Sequence, residues 1–217
     1  MRGVHVKICG LSDAESVASA VDGGARYLGF VFCPVSRRAI DPKTAASLIE
    51  RIPSRIASVG LFVDPQDDDL ERVLSLAPLK MIQLHGSETP ERVQAVKKRT
   101  GLHVIKAIGI AAPQDIAKAK QYEPVADILL LDAKPSSNGT SGGNGVVFDW
   151  SLLKNAVFSK PWILAGGLDA GNIEAAVAAT GARILDVSSG VEYPMGRKSP
   201  AKIKAFLDKA ATIETCC

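Results

Sequence analysis

His5-Val6-Lys7-Ile8-Cys9-Gly10-Leu11-Ser12-Asp13-Ala14-Glu15 reads as a short apolar strand that stops at a thiol and gives way at once to a helix start. Ser12 to Glu15 has the form of a capping box, a hydroxyl at the N-cap with a carboxylate three residues on. This stretch is one strand-loop-helix unit, and the fold follows from how often the unit recurs.

Further apolar runs at 27–32, 56–63, 81–84, 104–109, 128–132, 162–165 and 184–187 complete eight expected strands with 4–9. Amphipathic helical stretches are expected at 43–51, 70–76, 90–99, 114–121, 173–179 and 201–211. Asp41-Pro42, Thr89-Pro90 and Ser199-Pro200 each set a capping side chain before a proline at the first helical position. Asp149-Trp150, Asp169-Ala170 and the acidic turn Asp67–Asp69 can start others. The strands are apolar throughout rather than alternating, as parallel strands covered on both faces are. Eight such units imply a closed (β/α)8 TIM barrel rather than an open doubly wound sheet, which usually needs fewer strands. The 217 residues suit one such domain spanning 1–217.

Composition narrows the function. The chain is 47% apolar and 23% charged, with a formal net charge of +3. No basic run exceeds Arg37-Arg38 or Lys97-Lys98-Arg99, which argues against nucleic acid and for small anionic ligands. Four cysteines, at 9, 33, 216 and 217, show no metal-ligand spacing, and three histidines are scattered, so no metal is expected. No stretch has the length of a membrane span and no secretory leader is seen, so a reducing cytoplasm is the expected setting. Asn138-Gly139-Thr140 matches a glycosylation sequon by chance, and Cys216-Cys217 reads as an exposed, oxidisable tail.

In alternating β/α folds chemistry is placed at the C-terminal ends of the strands. Cys9 stands at such an end, either as a reactive thiol or as a buried small hydrophobe. Ala165-Gly166-Gly167 and Ser188-Ser189-Gly190 follow the seventh and eighth strands, where barrel enzymes often hold phosphate. Glycines there admit an anion to converging backbone N–H groups, or simply make tight turns. Asp132 closes the run Ile128-Leu129-Leu130-Leu131. A carboxyl desolvated at that place is raised in pKa and can donate a proton, unless it is an N-cap or pairs with Lys134 or Lys7. Arg38 offers a planar fork for a carboxylate or is a solvated surface residue, as Arg37 is expected to be. His85 and Gln83 are placed to bond a substrate or to satisfy the barrel rim. The long stretch 133–147, rich in Ser, Gly and Asn, follows the sixth strand on the same face.

Several motifs, in order along the whole chain, carry a resemblance. They are Lys7-Ile8-Cys9-Gly10, Gly29-Phe30-Val31-Phe32 with Ser36-Arg37-Arg38, and Gln83-Leu84-His85-Gly86. Leu131-Asp132, with Gly142-Gly143-Asn144-Gly145 and Phe148-Asp149-Trp150, comes next. Ala165-Gly166-Gly167-Leu168 and Asp186-Val187-Ser188-Ser189-Gly190-Val191-Glu192 complete the set. Together they resemble the phosphoribosylanthranilate isomerases of tryptophan biosynthesis. The resemblance implies an Amadori rearrangement of N-(5-phosphoribosyl)anthranilate to 1-(2-carboxyphenylamino)-1-deoxyribulose 5-phosphate. It implies Cys9 as general base, Asp132 as general acid, and Arg38 at the anthranilate end. Gln83, His85 and Asp186 become further substrate contacts, and Gly166, Gly167, Ser188, Ser189 and Gly190 the phosphate site. No cofactor is implied, because the substrate nitrogen is the electron sink. The expected partner is the small phosphoribosyl substrate alone, on a monomer or alternatively a homodimer. Some stabilisation of the Cys9 thiolate is expected, since an ordinary thiol is only a few per cent ionised at neutral pH. Asn144, Val146 and Ser199 depart from the family pattern.

Two rivals remain. The sister isomerase of histidine biosynthesis typically has an aspartate where Cys9 stands and binds two phosphates. A non-catalytic phosphate-binding barrel has no reason to place an acid and a thiol together at its strand ends.

Overall fold

The computed structural model describes residues 3–133, 150–154 and 156–214. The sequon at Asn138, Lys134, Asn144, Val146, the motif residues from Gly142 to Asp149 and the pair Cys216-Cys217 lie outside the described residues.

Strands β1 (His5–Cys9), β2 (Tyr27–Val31), β3 (Ala57–Phe62), β4 (Met81–Leu84), β5 (His103–Ile110), β6 (Ile128–Ala133), β7 (Trp162–Ala165) and β8 (Ile184–Val187) form a closed parallel barrel. β8 returns to β1 with Lys7 opposite Asp186, and β1 sets Cys9 opposite Gly29 of β2. Helices α1 (Ala14–Asp22), α2 (Pro42–Ile49), α3 (Asp67–Leu74), α4 (Pro90–Thr100), α5 (Pro113–Lys120), α6 (Ile173–Thr180) and α7 (Pro200–Ala211) surround it.

Side chains leave each strand alternately inward and outward. Val59, Met81, Ile105, Leu130, Ile163 and Ile184 fill the barrel interior. The outward set, with Ile8, Leu28, Ile82, Val104 and Leu164, packs against the helices. Near the strand ends Cys9, Val31 and Leu61 close the interior. Each fully buried aliphatic side chain contributes about 1.5–3 kcal/mol.

Two expectations are corrected. The N-cap of α1 is Asp13, not Ser12, because the Asp13 carboxylate accepts from Ser16 N at 2.8 Å and from the Ser16 hydroxyl. A helix starting at Asp149-Trp150 is replaced, among the described residues, by a single 3-10 turn at Trp150–Leu153. Leu153 is buried there. Among the described residues no helix is long and apolar enough to cross a membrane.

Candidate active site

The C-terminal ends of the strands open on a cavity of about 330 Å³. Cys9, Arg38, Gln83, His85, Asp132 and Asp186 all line it. So do Gly166, Gly167, Ser188 and Ser189. Of the residues singled out in the sequence only Gly190 stays out of the wall. A side chain at Gly190 would run into the carbonyl oxygen of Leu168, so its role in the geometry is to let the turns after β7 and β8 touch.

β1 turns Lys7 and Cys9 to the same side, into the barrel. Lys7 is fully buried, and its Nζ donates to Asp186 Oδ1 at 2.8 Å across the β1–β8 seam. Burial works against the Lys7 charge, but the carboxylate of Asp186 and the sulfur of Cys9 outweigh it and hold the ammonium above its ordinary range. Cys9 is buried too. Burial pushes its thiol up, the Lys7 charge pulls it down, Asp186 pushes it up, and Lys198 pulls it down; the balance is upward. The expected stabilising charge is therefore present, yet burial outweighs it. The hydroxyl of Ser188 donates to the Cys9 carbonyl at 3.1 Å, tying the turn after β8 to the end of β1.

Asp132, near the end of β6, is only partly buried, its side chain 27% exposed. It does not pair with Lys7, which Asp186 occupies. Its neighbour is His85, whose Nε2 lies 3.5 Å from Asp132 Oδ2. Gln83 Nε2 lies 2.9 Å from His85 Nδ1. With the amide donating there, the imidazole carries its hydrogen on Nε2, facing the carboxylate. Gln83 is fully buried, and its Oε1 has no hydrogen-bond partner among the described residues.

The loop bearing His85 is held from behind. Glu88 accepts from the backbone N–H of Asp64 and Gly86 and from Lys106 Nζ, at 2.7 Å for the last. Lys106 Nζ also donates to the Gly86 carbonyl at 2.8 Å. Gly86 has no room for a side chain, since a Cβ would stand 2.5 Å from the Asp64 carboxylate.

Arg38 lies over the first residue past β1. A Cβ on Gly10, whose φ is +81°, would fall 2.8 Å from Arg38 Cδ. The guanidinium then reaches Glu192 through Nε at 2.6 Å and Nη2 at 3.0 Å. Lys198 Nζ meets the same carboxylate at 2.6 Å, and Gly196 N at 2.8 Å. Burial raises the Glu192 carboxyl, but these donors, Arg38 foremost, bring it from the usual 4.5 to about 2. Lys198 also donates to the Ser188 carbonyl and hydroxyl at 3.0 and 3.1 Å. Gly166 and Gly167 take φ of +95° and +63°, the left-handed region where glycine is favoured.

Glu192, Lys198, Glu88 and Lys106 were not singled out from the sequence as functional. Lys106 carried a signal, a lysine inside the apolar run His103-Val104-Ile105-Lys106-Ala107-Ile108, which only a buried partner explains. Ser199, a departure from the family pattern, serves as the N-cap of α7 and accepts from Lys202 N. Among the described residues no cluster of His, Cys, Asp or Glu is arranged to hold a metal.

A family model described as N-(5'phosphoribosyl)anthranilate (PRA) isomerase matches residues 6–209. The N-(5'-phosphoribosyl)anthranilate isomerase of Paracoccus denitrificans is 53% identical over 208 residues, 95% of this chain and 97% of that protein. That of Rhodospirillum centenum is 50% identical over 212 residues, 97% and 99% of the two chains. The crystal structure of phosphoribosyl anthranilate isomerase from Thermotoga maritima is similar at a TM-score of 0.83 and 34% identity, over 95% of this chain and 98% of that one. A phosphoribosyl anthranilate isomerase in complex with reduced 1-(o-carboxyphenylamino)-1-deoxyribulose 5-phosphate is similar at a TM-score of 0.82 and 33% identity, over the same shares.

Proposed function

The chain belongs to the N-(5'-phosphoribosyl)anthranilate isomerase family, and on that premise we propose that Cys9 and Asp132 carry the proton transfers of its reaction. The reaction is the isomerisation of phosphoribosylanthranilate in tryptophan biosynthesis. The observation that supports this assignment is that a thiol and a carboxyl, from β1 and β6, face one cavity whose wall also holds the Gly-rich turns after β7 and β8.

Asp132, as general acid, gives a proton to the ribose ring oxygen. The C1–O bond breaks with its electron pair moving to that oxygen, and the nitrogen lone pair forms the C1=N bond of an iminium. The Cys9 thiolate then takes the proton from C2. The C–H electrons become the C1=C2 bond, and the C1=N electrons return to nitrogen. The enolamine gains a proton at C1 as its C2 hydroxyl loses one, leaving the C2 ketone. The iminium, C1=N⁺, is attached directly to the carbon that Cys9 deprotonates. It therefore offsets the burial that holds the thiol protonated, at the step where the thiolate is used.

Arg38, its Nε and Nη2 anchored on Glu192, takes the anthranilate carboxylate through Nη1. Gln83, its buried Oε1 without a partner among the described residues, accepts from a ribose hydroxyl, as does Asp186 from β8 across the barrel. His85 holds Asp132 toward the ring oxygen. The turns carrying Gly166, Gly167, Ser188 and Ser189 take the phosphate through backbone N–H groups, with Gly190 keeping the two turns in contact. The proposed form is a monomer, with a homodimer as the alternative, in a reducing cytoplasm that keeps Cys9 and Cys33 as free thiols.

The test is turnover with phosphoribosylanthranilate, followed by loss of its fluorescence. Turnover inhibited by a reduced product analogue supports the reading. Tight analogue binding with no turnover would leave a binding barrel instead.

A further inference from the structure

A lysine in the interior of a barrel calls for a reason. The layer around it is filled by aliphatic side chains, and burying an ion pair costs more in desolvation than an apolar pair of the same size. Stability therefore does not account for Lys7 and Asp186. Their surroundings do. Gly29 of β2 stands opposite Cys9, and a Cβ there would lie 3.1 Å from Cys9 Sγ and 3.2 Å from Lys7 Nζ. Sulfur and ammonium nitrogen flank a single point, and the absence of a side chain at position 29 leaves that volume to them. Asp186, the register partner of Lys7 on β8, fixes the ammonium from the other side at 2.8 Å.

We propose that Lys7 is the positioning residue for the catalytic thiol: a buried counter-ion, aimed by Asp186 and given room by Gly29, that stabilises the Cys9 thiolate. The proposal rests on the reading of Cys9 as the base. Lys7 does not touch substrate; it acts through the sulfur. The charges facing Cys9 divide in sign. From β1 Lys7 and from the segment after β8 Lys198 favour the thiolate, and Asp186 of β8 opposes it. Arg38, from the loop after β2, feels the thiolate charge as well. His85 and Asp132 line the same cavity from the ends of β4 and β6. Among these Lys7 exerts the largest favourable effect. Replacing it by an isosteric apolar residue removes that effect and leaves the burial.

The experiment titrates the thiol directly in the whole protein, by thiolate absorbance and by the pH dependence of alkylation with iodoacetamide, with Cys9→Ser as the blank for the other cysteines. In Lys7→Met the Cys9 titration is expected to move up by about one pH unit or more, a roughly tenfold loss of thiolate at neutral pH. The acid limb of kcat/KM should move with it, with KM little changed. Lys7→Met leaves Asp186 buried and unpaired, so the variant Lys7→Met/Asp186→Asn, which removes both charges, is measured beside it. An upward shift, smaller in size, is expected there too. A Cys9 titration that coincides with the wild type in both variants overturns the proposal. Wild-type turnover in Cys9→Ser would instead remove Cys9 as the base, while the titration difference would still report the Lys7–Cys9 coupling.

Discussion

Arg38 and Glu192 meet through two parallel contacts, Nε at 2.6 Å and Nη2 at 3.0 Å, across 154 positions of sequence. The pair joins the loop after β2 to the segment after β8 through Nε and Nη2 of the guanidinium. A lysine in place of Arg38 keeps the charge but loses the fork. Arg38→Lys is therefore expected to raise KM by roughly tenfold or more with kcat within a few-fold, since the fork that Glu192 holds in place is lost, and with it the proposed contact to the anthranilate carboxylate in ground and transition states alike. Steady-state kinetics checks this; a fall in kcat at constant KM would put Arg38 at the reacting atoms instead.

The same pair sets a pH dependence. Glu192 sits at about 2 in the folded chain against 4.5 ordinarily. A carboxyl lowered by folding adds stability above its unfolded value, and that contribution fades as pH falls from about 4.5 to about 2. Denaturant unfolding across that window should show stability dropping more steeply in the wild type than in Glu192→Gln. Parallel curves would remove Glu192 as the titrating group.

Gly10 carries the stem of Arg38. Gly10→Ala sets a side chain in the left-handed region, at a cost of about 1–2 kcal/mol, and drives its Cβ against Arg38 Cδ. A lower melting temperature together with a raised KM is the expected result. A melting shift with KM unchanged would show that the placement of the Arg38 stem does not matter.

Cys9→Ser and Asp132→Asn are each expected to lower kcat by roughly 10²–10⁴-fold, the usual weight of a general base or acid, with product-analogue affinity kept within a few-fold. Serine is too weak an acid to ionise near neutral pH, and an amide cannot give up a proton there. A near-normal rate in either variant removes that residue from its role.

Lys106→Met leaves Glu88 without its cation, with both side chains at most 2% exposed. Breaking a buried pair from one side costs about 3–5 kcal/mol, which chemical denaturation can read. A loss below about 1 kcal/mol would show that the backbone donors to Glu88 suffice.

The barrel was legible because its signals are local. The strands Met81–Leu84, Trp162–Ala165 and Ile184–Val187 coincide with their apolar runs, and Thr89 caps α4 where Thr89-Pro90 announces it. Ser12 and Asp13 are both capping types, and the neighbour with the carboxylate won because its two oxygens serve Ser16 N and Oγ together. The site was legible as a set of strand ends, which places Cys9, Asp132, Gly166 and Ser188 around one cavity. The ion pairs behind it were not. Lys7 with Asp186 and Arg38 with Glu192 join elements that only closure of the barrel makes neighbours, 179 and 154 positions apart, while Lys106 with Glu88 and Lys198 with Glu192 lie closer in sequence but meet only once the loops that carry them have folded. The elevated state of the Cys9 thiol was equally hidden, because it depends on how completely the surrounding layers exclude water.

Lys7 and Asp186 are 179 positions apart, on the first and last strands. During synthesis the first strand leaves the ribosome long before the eighth exists, so a nascent chain holds its thiol with no seam to close around it. Burial at Cys9 thus reports completion: the interior that shuts the thiol away from water exists only once the two ends of the sheet join, and a partly made barrel leaves the cysteine open to solvent.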